Sequence, residues 1–170
     1  MIKVLRLGHR LGRDARISTH CGLVARAFGA EEIIFSGDKD KKMMNSIKKV
    51  SNEWGGDFFV SYEKSWKSFV ENFRGVKIHL TMYGIPIEKK IEEVKNGDDV
   101  LVVVGGEKVP GELYGLVDHN IAVSNQPHSE IAALSVLLHE YFEGKELNKK
   151  FKNYKLKVVP QEEGKKVKEV

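Results

Sequence analysis

Val100-Leu101-Val102-Val103-Val104 is the longest apolar run in the chain, and the glycine-rich turn Gly105-Gly106-Glu107-Lys108-Val109-Pro110-Gly111 follows it directly. A continuous β-branched run, with none of the polar alternation of a half-exposed strand, requires burial on both faces. That is the condition of a central strand in a parallel sheet. Only residues 112–117 separate the turn from the next strand, Asn120-Ile121-Ala122-Val123. An ordinary right-handed crossover takes about a dozen residues and usually a full helix. The compressed connection brings two polar, Gly/Pro-bearing turns, residues 105–111 and Ser124-Asn125-Gln126-Pro127, close together in sequence. In parallel α/β sheets ligands collect at the carboxyl ends of strands, where such turns meet.

Outward from this stretch, short strands alternate with helical periods. Residues 2–7 read as a strand, and Ser18-Thr19 then caps a helix carrying Leu23, Val24, Ala27 and Phe28 that Gly29 stops. Ile33-Ile34-Phe35 is a second strand. A helix from about Lys41 places Met44, Ile47, Val50 and Trp54 at three- and four-residue spacing. Residues 58–61 read as a strand, 63–73 as a helix with Trp66, Phe69, Val70 and Phe73 inward, and 77–82 as another strand. Pro86 suits the first turn of a helix ending at Asn96-Gly97. A last helix begins at Ser129 with Ile131, Leu134, Val136, Leu137 and Leu138 on its period. The fold class is therefore α/β, a parallel sheet flanked by helices. One domain is expected over residues 1–144, followed by a lysine-rich, partly mobile tail over 145–170.

Composition narrows the function. The chain has 170 residues, of which 41% are hydrophobic and 31% charged, a globular balance. No window approaches the ~18 apolar residues of a membrane span, and the N-terminus is charged too early for a secretory signal. The lone Cys21 excludes an internal disulfide framework and a cysteine-built zinc site. The expected setting is the cytoplasm, with no membrane partner.

The net charge of +4 is uneven: residues 1–26 carry six basic side chains against Asp14, and residues 145–170 carry nine lysines against four glutamates. Each end is thus +5, around a body of −6, a distribution that favours a polyanionic partner.

Three segments hold the chemistry. Residues 105–111 match neither the phosphate-cradling P-loop nor Gly-x-Gly-x-x-Gly. Their glycines serve either a positive-φ turn or the close approach of a flat ligand to the backbone. In Ser124-Asn125-Gln126-Pro127-His128-Ser129-Glu130, a helix cap at Ser129 or His128 leaves Asn125 and Gln126 unexplained, and two adjacent amides suit an adenine edge. The third is Leu7-Gly8-His9-Arg10-Leu11-Gly12-Arg13-Asp14-Ala15-Arg16-Ile17-Ser18-Thr19-His20. So many cationic and titratable groups between a strand and a helix are costly unless an anion docks there or Asp14 pairs one arginine. No His-Glu-x-x-His, no Gly-x-Ser-x-Gly and no base near Cys21 is present, which sets aside metal and nucleophilic hydrolysis.

These segments, in this order, resemble the SPOUT superfamily of S-adenosylmethionine-dependent RNA methyltransferases. Within it they are most similar to the archaeal family that 2′-O-methylates the ribose of tRNA cytidine 56. The resemblance rests on residues 5–29, on His79-Leu80-Thr81-Met82-Tyr83-Gly84, on 105–110 and on 123–133, and it spans about residues 1–142.

It implies a C-terminal deep trefoil knot formed at the compressed connection. It implies a homodimer through the first and last helices, tRNA as substrate, S-adenosyl-L-methionine as methyl donor and no metal. The donor residues it implies are Leu80, Thr81, Met82 and Gly84; Gly105, Gly106, Glu107, Lys108, Val109 and Pro110; and Ile121, Val123, Ser124, Asn125, Gln126, Pro127, His128, Ser129 and Glu130.

The ribose-methylating branch usually carries an Asn and, six residues later, an Arg ahead of a Phe-Gly turn. Here those slots hold Ile17 and Leu23. Arg16 is therefore the first candidate for the catalytic guanidinium, with Arg13, Arg10 and His20 as positioning or proton-handling groups. Competing readings are a non-catalytic RNA-binding module and a SPOUT enzyme acting at another RNA site. A Rossmann-type nucleotide enzyme would need the Gly-x-Gly-x-x-Gly unit that is missing.

Overall fold

The computed structural model describes every residue except 107. Its centre is a six-stranded sheet in the order β3-β2-β1-β5-β4-β6, with every neighbouring pair parallel. The strands are β1 (Ile2–His9), β2 (Glu32–Gly37), β3 (Phe59–Tyr62), β4 (Val76–Pro86), β5 (Val100–Val104) and β6 (His119–Ala122). β5 lies between β1 and β4, as its apolar run requires. Because side chains alternate across a strand, Val100, Val102 and Val104 enter one core while Leu101 and Val103 enter the other. The helices α1 (Ala15–Ala27), α2 (Lys41–Trp54), α4 (Ile91–Lys95) and α5 (Glu130–Phe142) cover the first face. The second is covered by α3 (Trp66–Asn72) and a 3-10 turn over Gly111–Gly115 that buries Leu113.

Several boundaries differ from the sequence expectation. α1 begins at Ala15, a turn before Ser18-Thr19, because the Ser18 hydroxyl faces inward and bonds His9 Nδ1 at 2.8 Å instead of capping. α3 is shorter than 63–73. Pro86 ends β4 and precedes a 3-10 turn over Ile87–Lys89; it does not open a full helix. β4 runs on because Ile121 pairs with both Leu80 and Ile85, so residues 81–84 bulge out of the ladder between two paired segments. Residues 105–118 take the chain from β5 past β4 to β6, and residues 123–129 return it to the opposite face at α5.

Residues 145–170 carry secondary structure that their lysine-rich sequence did not announce. They form a 3-10 turn over Lys145–Asn148 and an antiparallel hairpin of β7 (Leu156–Val158) and β8 (Val167–Glu169). The aromatic residues among the lysines explain this. The Arg26 guanidinium lies 4.5 Å from the Phe151 ring centroid and donates to the Gly55 carbonyl at 2.5 Å. Gly55 and Gly56 pass so close to Tyr154 and Phe151 that an added Cβ would fall within 3 Å of their atoms. Arg26, counted above with the basic front, is buried here in a cation–π contact.

Candidate functional site

A cavity of about 600 Å³ opens at the carboxyl edge of the sheet, a size common for small-molecule sites. His79, Leu80, Thr81, Met82 and Tyr83 contribute one wall from β4 and its bulge. Gly105, Gly106, Lys108 and Val109 contribute a second, Tyr114 a third, and His128, Ser129, Glu130 and Ala133 the start of α5.

Local chemistry holds each wall. The Asn125 amide donates to the carbonyls of Met82 (2.7 Å) and Gly84 (3.1 Å), fastening the turn after β6 to the bulge. Ser129 caps α5 by accepting from Ala132 N at 3.2 Å. Gly105 and Gly106 do not take positive φ, so they are not there for turn conformation. A Cβ at Gly105 would sit 2.1 Å from Val109 Cγ2, and one at Gly106 would sit 3.3 Å from Arg6 Nη2. The loop therefore folds onto itself and onto a buried guanidinium. Arg6, at 1% exposure, donates through Nη2 to Glu130 Oε1 at 3.1 Å and through Nη1 to the Leu7 carbonyl.

His79 packs edge-on against Tyr114, 4.8 Å between centroids, and meets Asn120 Oδ1 at 3.0 Å. The Tyr114 hydroxyl reaches Thr81 Oγ1 at 3.0 Å. Burial pushes the His79 imidazole below its ordinary value, opposed by the Asn120 hydrogen bond. A histidine depressed in the folded state takes its proton more readily when unfolded. Its contribution to stability is therefore complete above about pH 6.5 and drains away as pH falls below that value. Thermal melts from pH ~7 to ~5 are expected to show a falling Tm, with a shallower slope in His79→Gln. Equal slopes in the two proteins would mean that His79 carries none of the dependence.

The structure brings together Leu80, Thr81, Met82, Gly105, Gly106, Lys108, Val109, His128, Ser129 and Glu130 from the sequence-named donor set. Gly84, Pro110, Ile121, Val123, Ser124, Asn125, Gln126 and Pro127 do not line the cavity. Ile121 is buried in the sheet, and the Asn125 amide is engaged by carbonyls. Glu107 lies outside the described residues. Sequence reasoning missed Tyr114 and Ala133 as walls and counted Arg6 only as charge.

None of Arg10, Arg13, Arg16 and His20 lines this cavity. Arg10 grips Asp14 through Nε (2.8 Å) and Nη2 (3.0 Å), and this hydrogen bonding holds the Asp14 carboxyl below its usual range. Arg13, Arg16 and His20 are exposed, with Arg16 and His20 one helical turn apart on α1. The loop before them is bolted down by His9, whose Nε2 lies 3.5 Å from Asp40 Oδ2 and whose carbonyl accepts from Asp38 N at 2.7 Å. Burial pushes the Cys21 thiol up to about 12, which makes it inert as a nucleophile. Among the described residues no group of three His, Cys, Asp or Glu side chains could hold a metal ion, and no helix is long and apolar enough to cross a membrane.

Residues 54–168 match the family model described as tRNA ribose 2′-O-methyltransferase, aTrm56. That match takes in the C-terminal hairpin, which the sequence resemblance had left out. The tRNA (cytidine(56)-2′-O)-methyltransferase of Pyrococcus horikoshii is 52% identical over 174 residues, covering 100% of this chain and 86% of that protein. The Archaeoglobus fulgidus protein of the same name is 54% identical over 166 residues, covering 98% of this chain and 97% of its own. Among solved structures, the A. aeolicus TrmH/SpoU tRNA modifying enzyme superposes with a TM-score of 0.57 at 18% identity, covering 86% of this chain and 76% of that one. The SpoU methyltransferase AviRb from Streptomyces viridochromogenes, solved in complex with AdoMet, gives 0.57 at 12% identity, covering 85% and 57%. At such identities the likeness is one of fold.

Proposed function

The chain belongs to the tRNA ribose 2′-O-methyltransferase family described as aTrm56, and on that footing we propose that it methylates the ribose 2′-hydroxyl of cytidine 56 in tRNA, using S-adenosyl-L-methionine. The observation that carries this reading is identity above 50% over the full chain with proteins bearing that name, spanning both the cavity walls and the arginine loop.

The cavity suits the donor in size and lining. Leu80, Met82, Val109 and Ala133 offer apolar surface to an adenine, while Thr81, Ser129 and Glu130 offer partners to hydroxyls and an ammonium group. Of the remaining named donor residues, Gly84 and Asn125 act by holding the bulge, and Pro110, Ile121, Val123, Ser124, Gln126 and Pro127 by shaping the turns around it. When bound, the donor supplies an electrophilic methyl carbon on a sulfonium. The other requirements fall on the chain. A hydroxyl is a weak nucleophile near neutral pH and needs a base or stabilisation of its developing charge. The Arg16 guanidinium beside the 2′-hydroxyl lowers its pKa, and His20, a turn away, or an RNA phosphate takes the proton. Arg10 and Arg13 hold the backbone phosphates, which their planar forks suit.

Because these four side chains lie outside the cavity of their own protomer, the reading includes a homodimer in which Arg16 of the partner subunit completes each site. Exposed apolar side chains at Tyr83, Ile85 and Val136 support a covered surface around α5 and the bulge. The path of residues 105–129 around β4 supports the trefoil knot, and a tRNA substrate supports a cytoplasmic setting.

Incubation of the protein with an unmodified tRNA transcript and methyl-labelled donor, followed by nucleotide mapping, tests the proposal. Label on the ribose of nucleotide 56 is the expected result. Label at another nucleotide overturns the target, and no label despite bound donor overturns catalysis. In Gly106→Val, calorimetry is expected to show donor affinity weakened about tenfold or more, since branched atoms would enter the approach above Arg6. Equal affinity would mean that the loop only turns the chain.

A further inference from the structure

A second cleft, of about 350 Å³, lies between the end of α2 and the C-terminal hairpin. Trp54, Phe151 and Tyr154 line it together with Lys149, Lys150 and Lys157. α2 runs antiparallel to the strands, so Trp54 sits at the amino edge of the sheet, opposite the donor cavity, and the methyl-transfer chemistry does not use it. Its composition is unusual for a structural seam. Lys150 and Lys157 are exposed, the three aromatic residues are only half-buried, and residues 149–168 carry eight lysines against two glutamates. Arg26 already occupies Phe151, and Lys157 stands 5.7 Å from the Tyr154 centroid. Among the described residues no ring or cation stacks on the Trp54 indole. The neighbouring acid, Glu53, is paired with Lys49 at 3.7 Å.

A cleft whose indole carries no stacked ring or cation among the described residues and is rimmed by ammonium groups is the arrangement that holds unpaired nucleotides, with the base on the ring and the phosphate on the ammonium groups. An apolar protein segment would have to desolvate those lysines without compensation. We infer that this cleft binds an unpaired nucleotide of the RNA substrate at a point remote from the methylated ribose, the base on Trp54 and the phosphate against Lys150 and Lys157. The inference rests on the tRNA reading above and extends it to a second contact on the far side of the sheet. It also gives the hairpin a function besides covering Arg26.

Two measurements test it. In a Trp66→Phe background Trp54 is the sole tryptophan. A single-stranded RNA oligonucleotide is expected to quench its fluorescence saturably, and no quenching would overturn the stacking. In full-length protein, Lys150→Glu with Lys157→Glu is expected to weaken binding of unmodified tRNA tenfold or more and to lower its salt slope by about two. Donor affinity by calorimetry and turnover at saturating tRNA are expected to hold, because both lysines are exposed and far from the cavity. Unchanged tRNA affinity and salt slope, in a preparation whose wild type binds and methylates tRNA, would overturn the inference. Displacement of the oligonucleotide by polyglutamate at equal charge concentration would overturn it in favour of an acidic protein partner. A wild type that neither binds nor methylates tRNA would instead overturn the function proposed above, and the oligonucleotide titration would still decide the cleft.

Discussion

Arg16→Ala is expected to keep its fold and its donor affinity while losing about 10²- to 10³-fold in turnover, the usual cost of deleting one preorganised donor at a developing negative charge. Arg16 is exposed on the first turn of α1 and lines no part of the cavity, so neither stability nor donor binding depends on it. Single-turnover kinetics at saturating donor and tRNA provide the measurement. An unchanged rate would move the role to Arg13 or Arg10.

The same variant tests the shared site. Mixed dimers of Arg16→Ala and Gly106→Val would contain one site with an intact cavity and an intact arginine if the arginine comes from the partner, and none if it comes from the same protomer. Recovery of activity on mixing is expected. Its absence in verified mixed dimers would place Arg16 in its own protomer's site.

The largest effect on stability is expected from Glu130→Leu. Arg6 is 1% exposed, and among the described residues its Nε has no hydrogen-bond partner and Glu130 is the only carboxylate hydrogen-bonded to it. Removing one member of such a pair leaves a buried charge uncompensated, at a cost of about 3–5 kcal/mol. For a chain of this size that is a fall in Tm on the order of 10 °C. Adding Arg6→Met removes the orphaned charge, and most of the loss is expected to return. A melt of Glu130→Leu within a degree or two of wild type would mean that water reaches the guanidinium.

The sheet was legible because burial on both faces leaves an unmistakable trace: Val100–Val104 admits no polar residue, and the alternation around it dictates helices above and below. The glycine-rich wall of the cavity was legible because glycines cluster after the buried strand, whereas the amides of residues 124–127, equally conspicuous in the sequence, do not line it. What escaped has physical reasons. Ser18 carries the residue type of a helix cap, yet its hydroxyl is taken by a buried imidazole, and a single sequence does not encode which partner wins. Arg6 occupies a strand position whose parity points into the core, where a charge is unexpected until Glu130 is brought beside it from 124 residues away. Tyr114 belongs to a segment too short to show a period, and reaches the cavity only because the chain crosses β4 there. The hairpin in residues 145–170 was not legible because lysine counts dominate its composition, while Phe151 and Tyr154, which pack against Arg26 and Gly55, are two residues among many.

The bulge in β4 bears on how such a site can diversify. Since Ile121 meets Leu80 on one side of residues 81–84 and Ile85 on the other, those four residues are spliced out of the ladder without shifting either flank. Thr81, Met82 and Tyr83 can therefore be exchanged for other side chains, or their loop lengthened, while the strands keep their alignment. The scaffold thus separates the grammar of folding from the vocabulary of recognition, and selection can rewrite the second without disturbing the first.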